Sequence, residues 1–261
     1  MAEPVEESMS RRDRARAETV REIKATARRV LVDQGVDGLA LRAIAREMGM
    51  TAPGLYRYFA SREDLVEHVV GDLYDELTDE LEAVRDAARP ATAGVQLMEV
   101  ARAFRTWAVT HRSEFGLLFG SAGQGVLPED AHDYGDRPSQ LAGARFGGVF
   151  AELVARLYFE RGFPVPADDE IDPALQEQLQ TWCTKLPVPL PLGVMHVFLA
   201  CWIRLYGLIC MEIFGHLRFA LHDAEPMFEA ELRALGGVLG VGDEYRPPSS
   251  RDEAGPRPHR S

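Results

Sequence analysis

Cysteine is scarce in this chain, which holds three in 261 residues and has no CxxC pair. An odd number of widely spaced cysteines argues against a disulfide framework and a zinc site. The sequence also lacks a GxGxxG turn and a phosphate-binding loop, and Ser121 lacks the G-x-S-x-G context of a hydrolase nucleophile. We therefore predict no cofactor, no metal and no catalytic residues. The cysteines are Cys183, Cys201 and Cys210.

Long uninterrupted apolar runs are absent as well. The longest apolar stretch, residues 190–217, contains His196, Arg204 and Glu212, so we expect a buried helix there rather than a membrane span. The first eighteen residues are charged and hold no apolar segment, so no secretory signal is predicted. With 46% hydrophobic residues the chain can bury a substantial core. These features predict a cytoplasmic protein with no membrane partner.

Positive charge is in the minority, since the net charge is −12, and this argues against a uniformly basic nucleic-acid-binding surface. Residues 10–62 nevertheless hold twelve arginines or lysines against six acids, a net charge of +6. Residues 1–9 carry −3, and the chain from Glu63 onward carries −15. A basic N-terminal unit on an acidic body is expected when one module contacts a polyanion, although a solvated basic helix would give the same count.

Apolar residues at spacings of three and four predict helices almost throughout, and no alternating strand pattern is present. A first helix is expected over 12–33, two short helices on either side of Gly49, and a long helix over 61–85. Ser61-Arg62-Glu63-Asp64 resembles a capping box at the start of that long helix. Later helices are expected over 91–111, 115–119, 141–159, 173–183, 190–219 and 225–239. The predicted fold class is all-α.

The segment 120–138 has glycine, proline and acids but no periodicity. Its carboxylates and histidine are dense enough to hold a metal, although a solvated acidic loop is the commoner explanation, and we predict no metal there. Such long loops are usually functional or mobile. The residues concerned are Glu129, Asp130, His132, Asp133 and Asp136.

Residues 35–65 carry the functional motif. Two short predicted helices meet at Gly49-Met50-Thr51, a corner that fits a helix-turn-helix. The elements around it are Leu41-Arg42-x-Ile44-Ala45, Leu55-Tyr56-x-Tyr58-Phe59 and Ser61-Arg62-Glu63-x-Leu65. Together they closely resemble the DNA-binding domain of the tetracycline-repressor (TetR) family, over about residues 15–70. The resemblance implies an all-α homodimer with a three-helix DNA-binding head and a larger helical body for ligand binding and dimerisation.

The resemblance also implies DNA-contacting positions, whereas Leu55 and Phe59 are expected to be core. Arg57 alone among the base-facing residues can make a bidentate contact to guanine. The implied base-facing residues are Thr51, Ala52, Gly54 and Arg57, the phosphate-facing ones are Tyr56, Tyr58 and Arg62, and Arg42 is assigned to either. A basic arm of Arg11, Arg12, Arg14 and Arg16 is expected to enter a minor groove. Ala40 stands where the family often has Thr or Ser, so the short helix that begins after it, the first of the helix-turn-helix, lacks its usual N-cap.

The C-terminal body carries a second, weaker resemblance. Residues 202–209 look like the Trp-His-Gly segment of one TetR subgroup, with Tyr206 in place of the histidine. On each of the last two predicted helices, mostly apolar residues are spaced alternately by three and four. They run from Ala200 to Phe214 on one helix and from Phe228 to Leu239 on the other. Such spacing suits a four-helix dimer bundle, although both helices could instead pack inside one subunit. The predicted dimer interface consists of Ile203, Gly207, Cys210, Phe214, Phe228, Leu232 and Leu235.

Aromatic residues of the body recur at helical spacing and predict an apolar cavity with a few polar points. An ordinary hydrophobic core is the alternative for each of them. The predicted ligand-binding residues are Phe104, Trp107, His111, Phe115, Phe146, Phe150, Trp182 and Trp202.

The sequence thus predicts a ligand-responsive transcriptional regulator, a repressor that binds a palindromic operator in double-stranded DNA as a dimer and is released by a small apolar or aromatic effector. Ligand-independent DNA binding is one alternative and a hydrolase-like enzyme a less favoured one. We expect a flexible basic arm over 1–14, a DNA-binding domain over 15–62, a ligand-binding and dimerisation domain over 63–245, and a disordered tail over 246–261.

Overall fold

The computed structural model describes residues 10–35, 38–120, 137–184 and 190–248. These ranges contain ten α-helices and two short 3-10 turns but no strand, so the predicted all-α class is confirmed. Ser121 and the acidic side chains of the 120–138 segment lie outside the described residues, as do residues 1–9 and 249–261. The helices are α1 (Arg11–Gln34), α2 (Leu41–Glu47), α3 (Ala52–Tyr56), α4 (Arg62–Ala87), α5 (Ala93–Thr110), α6 (Arg112–Phe119), α7 (Pro138–Glu160), α8 (Pro173–Cys183), α9 (Leu192–Ile213) and α10 (Glu225–Val238).

Helix α1 begins earlier than the predicted boundary of the basic arm. The side chain of Ser10 caps it by accepting a hydrogen bond from the backbone N–H of Asp13. Because the helix is regular from Arg11, the four arginines predicted to form a flexible arm, Arg11, Arg12, Arg14 and Arg16, lie on its first two turns. The expected arm over 1–14 is therefore wrong for residues 11–14.

The chain divides into two compact units. Unit 1 contains the described residues up to Ala87 and Arg102–Glu152, and unit 2 contains Ala88–Ala101 and the described residues from Leu153 on. The division does not fall at the predicted boundary after residue 62, because α4 packs on α1 and α6 and so belongs with the N-terminal helices.

Unit 1 is built around the long helix α4. Its buried residues recur at a helical spacing that places Leu65, Leu73, Leu77 and Leu81 on one face, all fully inaccessible to solvent. Full burial of a leucine side chain contributes roughly 1.5–3 kcal/mol, so this face is the main apolar anchor of the unit. Helix α1, whose Ile23 is fully buried, packs on it directly, and α2 packs on α1 and α3.

Unit 2 packs α9 between α8 and α10. Helix α10 is followed by a short 3-10 turn, Gly242–Glu244, in which Asp243 and Glu244 form ion pairs with Arg161. A side chain at Gly94 or Gly236 would meet neighbouring atoms within 3 Å, so both glycines permit close packing at this end of the unit.

Helix α9 is long and apolar enough to cross a membrane by length and composition, with a mean hydropathy of 1.8. One such helix is only weak evidence for a membrane span, since the core helix of a soluble protein passes the same test. Only 28% of its most apolar window is buried within the chain, less than the predicted buried helix implies. Val194 and Ile209 face the core of unit 2, whereas Ile203 and Met211 are exposed. Helix α9 therefore has an apolar side, with Ile203 and Met211, that is exposed on this chain.

Candidate nucleic-acid interface

The turn of the motif is closed by backbone geometry. Gly49 has φ of 67°, in the left-handed region that favours glycine. The N–H of Met50 donates to the carbonyl of Ala45 at 2.8 Å, which satisfies one of the carbonyls at the end of α2. At its start, α2 has no side-chain cap on Ala40, as the sequence indicated. The corner therefore depends on Gly49, and a residue with a Cβ would be strained there.

Helix α3 is short, and its position is determined at both ends. The Thr51 hydroxyl caps it by accepting a hydrogen bond from the N–H of Gly54 at 3.2 Å, which leaves the hydroxyl proton available to donate. Leu55 and Phe59 are buried, as predicted, and hold the helix against the core. The face opposite these two residues points to solvent and is the candidate DNA-reading surface.

The predicted DNA-contacting residues divide by exposure. Tyr56 keeps 50% of its surface exposed, and Arg57 at the C-terminal end of α3 is exposed too. Thr51 and Arg42 are exposed, whereas four residues are half-buried: Ala52, Gly54, Tyr58 and Arg62. Of the six side chains that can hydrogen bond to DNA, four are therefore exposed, and the other two, Tyr58 and Arg62, are half-buried.

Arg16 joins α1 to the end of the recognition helix. Its guanidinium carbon lies 5.0 Å above the centre of the Tyr58 ring, within cation–π range. One of its amino groups donates to the backbone carbonyl of Arg57 at 3.4 Å. Arg16 thus contacts the C-terminal end of the reading surface, a role that its place in a predicted arm did not suggest. The residues are far apart in sequence, and no local signal joins them.

The start of α4 forms the predicted capping box with aspartate in place of glutamate. The N–H of Asp64 donates to the Ser61 hydroxyl at 3.1 Å, and the Asp64 carboxylate accepts from the N–H of Ala60 at 2.7 Å. The backbone amide at this helix end, aided by Ser61 and Arg62, lowers the pKa of the Glu63 carboxyl. Arg62 donates to Glu63 at 3.2 Å. A DNA phosphate at this N-terminus would compete with Glu63 for Arg62.

Six aromatic rings of unit 1 form one cluster, which we call the aromatic cluster. Phe104 lies at its centre, with its ring 5.3 Å from that of Phe146 and 6.1 Å from that of Phe150. Four members were predicted, whereas Phe119 and Tyr74 were missed. Phe119 follows Phe115 by one helical turn and could have been found, but Tyr74 lies off the leucine stripe of α4. The members are Tyr74, Phe104, Phe115, Phe119, Phe146 and Phe150.

The other predicted ligand-binding residues do not form one group. Trp107 and His111 stack in unit 1, with ring centres 5.1 Å apart. Trp182 stacks on Phe198 and Trp202 on Tyr206, all in unit 2. The aromatic cluster of unit 1 is therefore the better-supported candidate ligand site.

The predicted interface residues also fall into two groups. On α9 Ile203 is 59% exposed, Cys210 is half-buried, and a Cβ at Gly207 would meet nothing within 4 Å, while Phe214, the C-cap of this helix, is 43% exposed. On α10 the three predicted residues, Phe228, Leu232 and Leu235, are all buried within the chain. These three residues pack inside their own subunit, because the main apolar face of α10 lies against α9 and the 3-10 turn within unit 2.

The cysteines show no sign of nucleophilic chemistry. Burial raises the pKa of Cys201 to about 11 and also raises that of Cys210, so both thiols stay protonated at neutral pH. Within the described ranges no three histidine, cysteine or acidic side chains form a group that could hold a metal.

A helix-turn-helix with an exposed second helix defines a DNA-binding protein of the bacterial regulator class. The TetR family model, described as bacterial regulatory proteins, matches residues 23–69, and a tetracyclin repressor-like C-terminal domain model matches residues 97–235. The chain therefore belongs to the TetR family.

Two mycobacterial proteins are similar over most of their length. The HTH-type transcriptional regulators Rv1816 of Mycobacterium tuberculosis and Mb1846 of Mycobacterium bovis are each 31% identical over 230 residues, which cover 88% of this chain and 95% of the relative. The solved structure of the regulatory protein SCO4313 is 30% identical, with a TM-score of 0.65 over 87% of this chain and 100% of that one. A Rhodococcus sp. RHA1 protein of unknown function shares the fold, at 19% identity and a TM-score of 0.58 over 91% of this chain and 98% of that one.

The protein is thus a TetR-family transcriptional regulator that binds DNA and is not an enzyme. The predicted family and its DNA-binding class are confirmed.

Proposed function

We propose that the chain is a ligand-responsive repressor that acts in the cytoplasm, binds a palindromic operator as a homodimer and leaves it when a small apolar or aromatic effector binds. The observation that carries the proposal is Arg28 of α1, which bonds Glu76 of α4 at 2.7 Å and reaches Glu114 of α6 at 3.4 Å. One side chain of the DNA-binding head thus contacts two of the four helices that supply the aromatic cluster, α4 with Tyr74 and α6 with Phe115 and Phe119.

In the proposed DNA complex, the exposed face of α3 enters the major groove. Arg57 bonds a guanine, and Thr51 donates its hydroxyl proton to a base or a phosphate. Tyr56, Tyr58 and Arg62 bond phosphates and set the register of the head on the duplex. Arg42 adds a further contact.

The proposed dimer uses the exposed apolar faces of α9 and α10. On α9 the face runs through the exposed Ala200 and Ile203 and the half-buried Gly207 to the exposed C-cap residue Phe214, at spacings of three, four and seven residues. On α10 the exposed residues are Met227, Ala230, Ala234 and Val238, which replace the buried residues first predicted. The two helices pack on each other, so together they offer two helices of a four-helix dimer bundle.

The proposed switch has two states, and an effector shifts their populations only if it prefers one of them. In the DNA-bound state the dimer holds its recognition helices about one helical turn of DNA apart, roughly 34–36 Å. An effector among the rings of the aromatic cluster displaces α4 and α6. Because Arg28 contacts both, α1 and the rest of the head move with them.

Selection of binding sites from random duplex DNA tests the proposal, combined with sedimentation of the complex. We expect a palindrome with half-sites about one turn apart and two chains bound per site. Compounds that release the recovered site should bind more weakly to Phe150→Ala, because that change removes a ring of the aromatic cluster. A non-palindromic site bound by one chain would contradict the proposal.

Ligand-independent DNA binding has one observation in its favour. The rings of the aromatic cluster are in mutual contact, at 4.8 Å between Phe115 and Phe119, as in an ordinary core. Operator binding that no compound weakens would favour this second candidate.

A further inference from the structure

Glu67 on α4 is a buried acid that the DNA-binding role does not use. Only 8% of its surface is exposed, and its Oε1 atom has no hydrogen-bond partner among the described residues. Burial of a carboxylate oxygen without a donor is costly, because water would otherwise bond to it. A ligand that donates a hydrogen bond to this oxygen would remove that cost and would therefore bind favourably.

The groups around Glu67 satisfy one of its two oxygens. The Ser139 hydroxyl, in the first turn of α7, donates to Oε2. The Arg137 guanidinium forms a long ion pair with Oε1 at 4.0 Å, too far for a hydrogen bond, and half of its side chain is exposed, so the donor that Oε1 lacks is not supplied. Gln140, next along the chain from Ser139, also buries a side-chain oxygen without a partner. The unmet groups in this part of unit 1 are therefore acceptors.

The same face of α4 leads from Glu67 to the aromatic cluster. Gly71, one turn further, lets α7 approach so closely that a Cβ there would lie 3.1 Å from the Pro138 backbone. Tyr74 follows, with its ring 5.6 Å from Phe119 and 5.9 Å from Phe146. From residue 67 to 74 the helix rises about 10 Å. An acid and an aromatic wall thus lie along one side of the contact between α4 and α7.

We propose that Glu67 is the charge-recognising residue of the effector site and that the effector is an amphiphilic cation. Its protonated amine donates to Glu67 Oε1, and its apolar or aromatic part lies among Tyr74, Phe119 and Phe146. This inference rests on the proposed function, since it specifies the chemical class of the effector.

The charge of the ligand follows from the acid. An anion would bring a like charge next to a buried carboxylate, and a neutral hydrocarbon would leave Oε1 without a donor. A protonated amine supplies both a donor and the opposite charge, and the nearby aromatic faces add cation–π attraction.

Three probes with the same apolar part and different charge test the proposal: phenylbutylamine, phenylbutanol and phenylbutyrate. Their affinities for the full chain are measured by calorimetry. The amine is protonated at neutral pH, as lysine is. We expect it to bind about tenfold or more tightly than the alcohol, and the carboxylate to bind most weakly.

Two substitutions on α4 make the comparison specific. In Glu67→Gln the amine should lose its advantage over the alcohol, whereas the exposed Glu80→Gln keeps it, although both remove one negative charge from the same helix. Tyr74→Leu should weaken the amine and the alcohol alike. Circular dichroism and operator affinity without probe show whether each variant folds, and the ranking of the three probes on the natural chain needs no variant.

The inference is overturned if the amine binds no better than the alcohol, or does not bind at millimolar concentration. It is also overturned if a folded Glu67→Gln variant keeps the preference. Operator release is measured separately. Release by the alcohol without preference for the amine would leave the proposed function standing and refute the role of Glu67, whereas Glu67-dependent binding without release would refute the effector response alone.

Discussion

The residues of the DNA-reading surface differ in what they can recognise. Ala52 and Gly54 offer no side-chain hydrogen bond, and the hydroxyl oxygen of Thr51 accepts from the backbone of Gly54. Arg57 is therefore the base-facing residue with the most recognition capacity, because its guanidinium can donate to two acceptors of one guanine. Its backbone carbonyl accepts a hydrogen bond from the exposed Arg16, which ties the end of α3 to α1.

Arg57→Ala should cost about 1–3 kcal/mol of operator binding and relax the preference at one base pair in each half-site. Arg62→Ala should instead weaken binding to all sequences alike and reduce the salt dependence by about one unit per subunit, since a phosphate contact carries no sequence information. Fluorescence anisotropy on operator variants at several salt concentrations measures both effects.

Arg233→Ala is the control for lost charge, because this exposed arginine lies on α10, outside the head. It should leave both quantities nearly unchanged. If Arg57→Ala keeps the affinity and the sequence preference of the natural chain, α3 does not read bases through this residue.

At the scale of residues, the helix caps and buried positions that depend only on near neighbours in the sequence could be predicted. The Thr51 cap, the Ser61 and Asp64 capping box, and the buried Leu55 each follow from spacings of a few residues. The stacking of Arg16 on Tyr58 could not, since it arises from the packing of α1 against the end of α3.

At the scale of elements, ion pairs hold α1 to the rest of unit 1. Lys24 bonds Asp72, and Arg28 one turn later bonds Glu76, so two successive turns of α1 are tied to α4. Arg28 also reaches α6, through Glu114, whose side chain is mostly buried, and no such pair with α6 is seen for Lys24 among the described residues. The two cations therefore provide similar attachment to α4 but different links to the rest of the unit.

Arg28→Met should reduce the effector response more than it reduces stability. Partly exposed ion pairs contribute up to about 1 kcal/mol, so the variant should fold and bind the operator. The loss should appear in the coupling free energy, obtained from operator affinity with and without a saturating effector.

Lys24→Met is the matched control, because it removes a pair with α4 but none with α6. We expect its stability to fall by a similar amount while its coupling free energy stays close to that of the natural chain. Equal coupling in the two variants would show that the contact with Glu114 does not transmit the effector signal.

The helices themselves were predicted well because periodicity and caps are local. Helix α8 begins and ends where the sequence indicated, at Pro173 and Cys183, with Asp172 as its cap. The seam on α10 was assigned to the wrong surface for a physical reason. A heptad-like spacing shows that a face is apolar, but it does not show whether that face packs in its own chain or on a second copy.

At the scale of the whole molecule, the apolar surface of unit 2 indicates assembly. Exposed side chains such as Ile203 and Met227 lie on two neighbouring helices, and apolar patches on one chain mark sites of contact with another. The acidic body and basic head also fit a dimer that presents two positive heads to DNA, since the head alone carries the positive excess.

Gly207→Leu tests this assembly because its two expected effects have opposite signs. A Cβ at Gly207 meets nothing within 4 Å in the subunit, and leucine favours helix over glycine by up to about 1 kcal/mol, so the single chain should be as stable as before or slightly more stable. At a helix crossing of a dimer the same side chain would overpack the contact and cost about 1–3 kcal/mol. Sedimentation over a range of concentrations should therefore show a dissociation constant raised by at least about fivefold, with palindromic operator binding weakened to match. Gly148→Leu on α7, also a helical glycine with open space around it, should leave the dimer unchanged. A Gly207→Leu chain that dimerises as tightly as the natural one would place the interface on another face of the molecule.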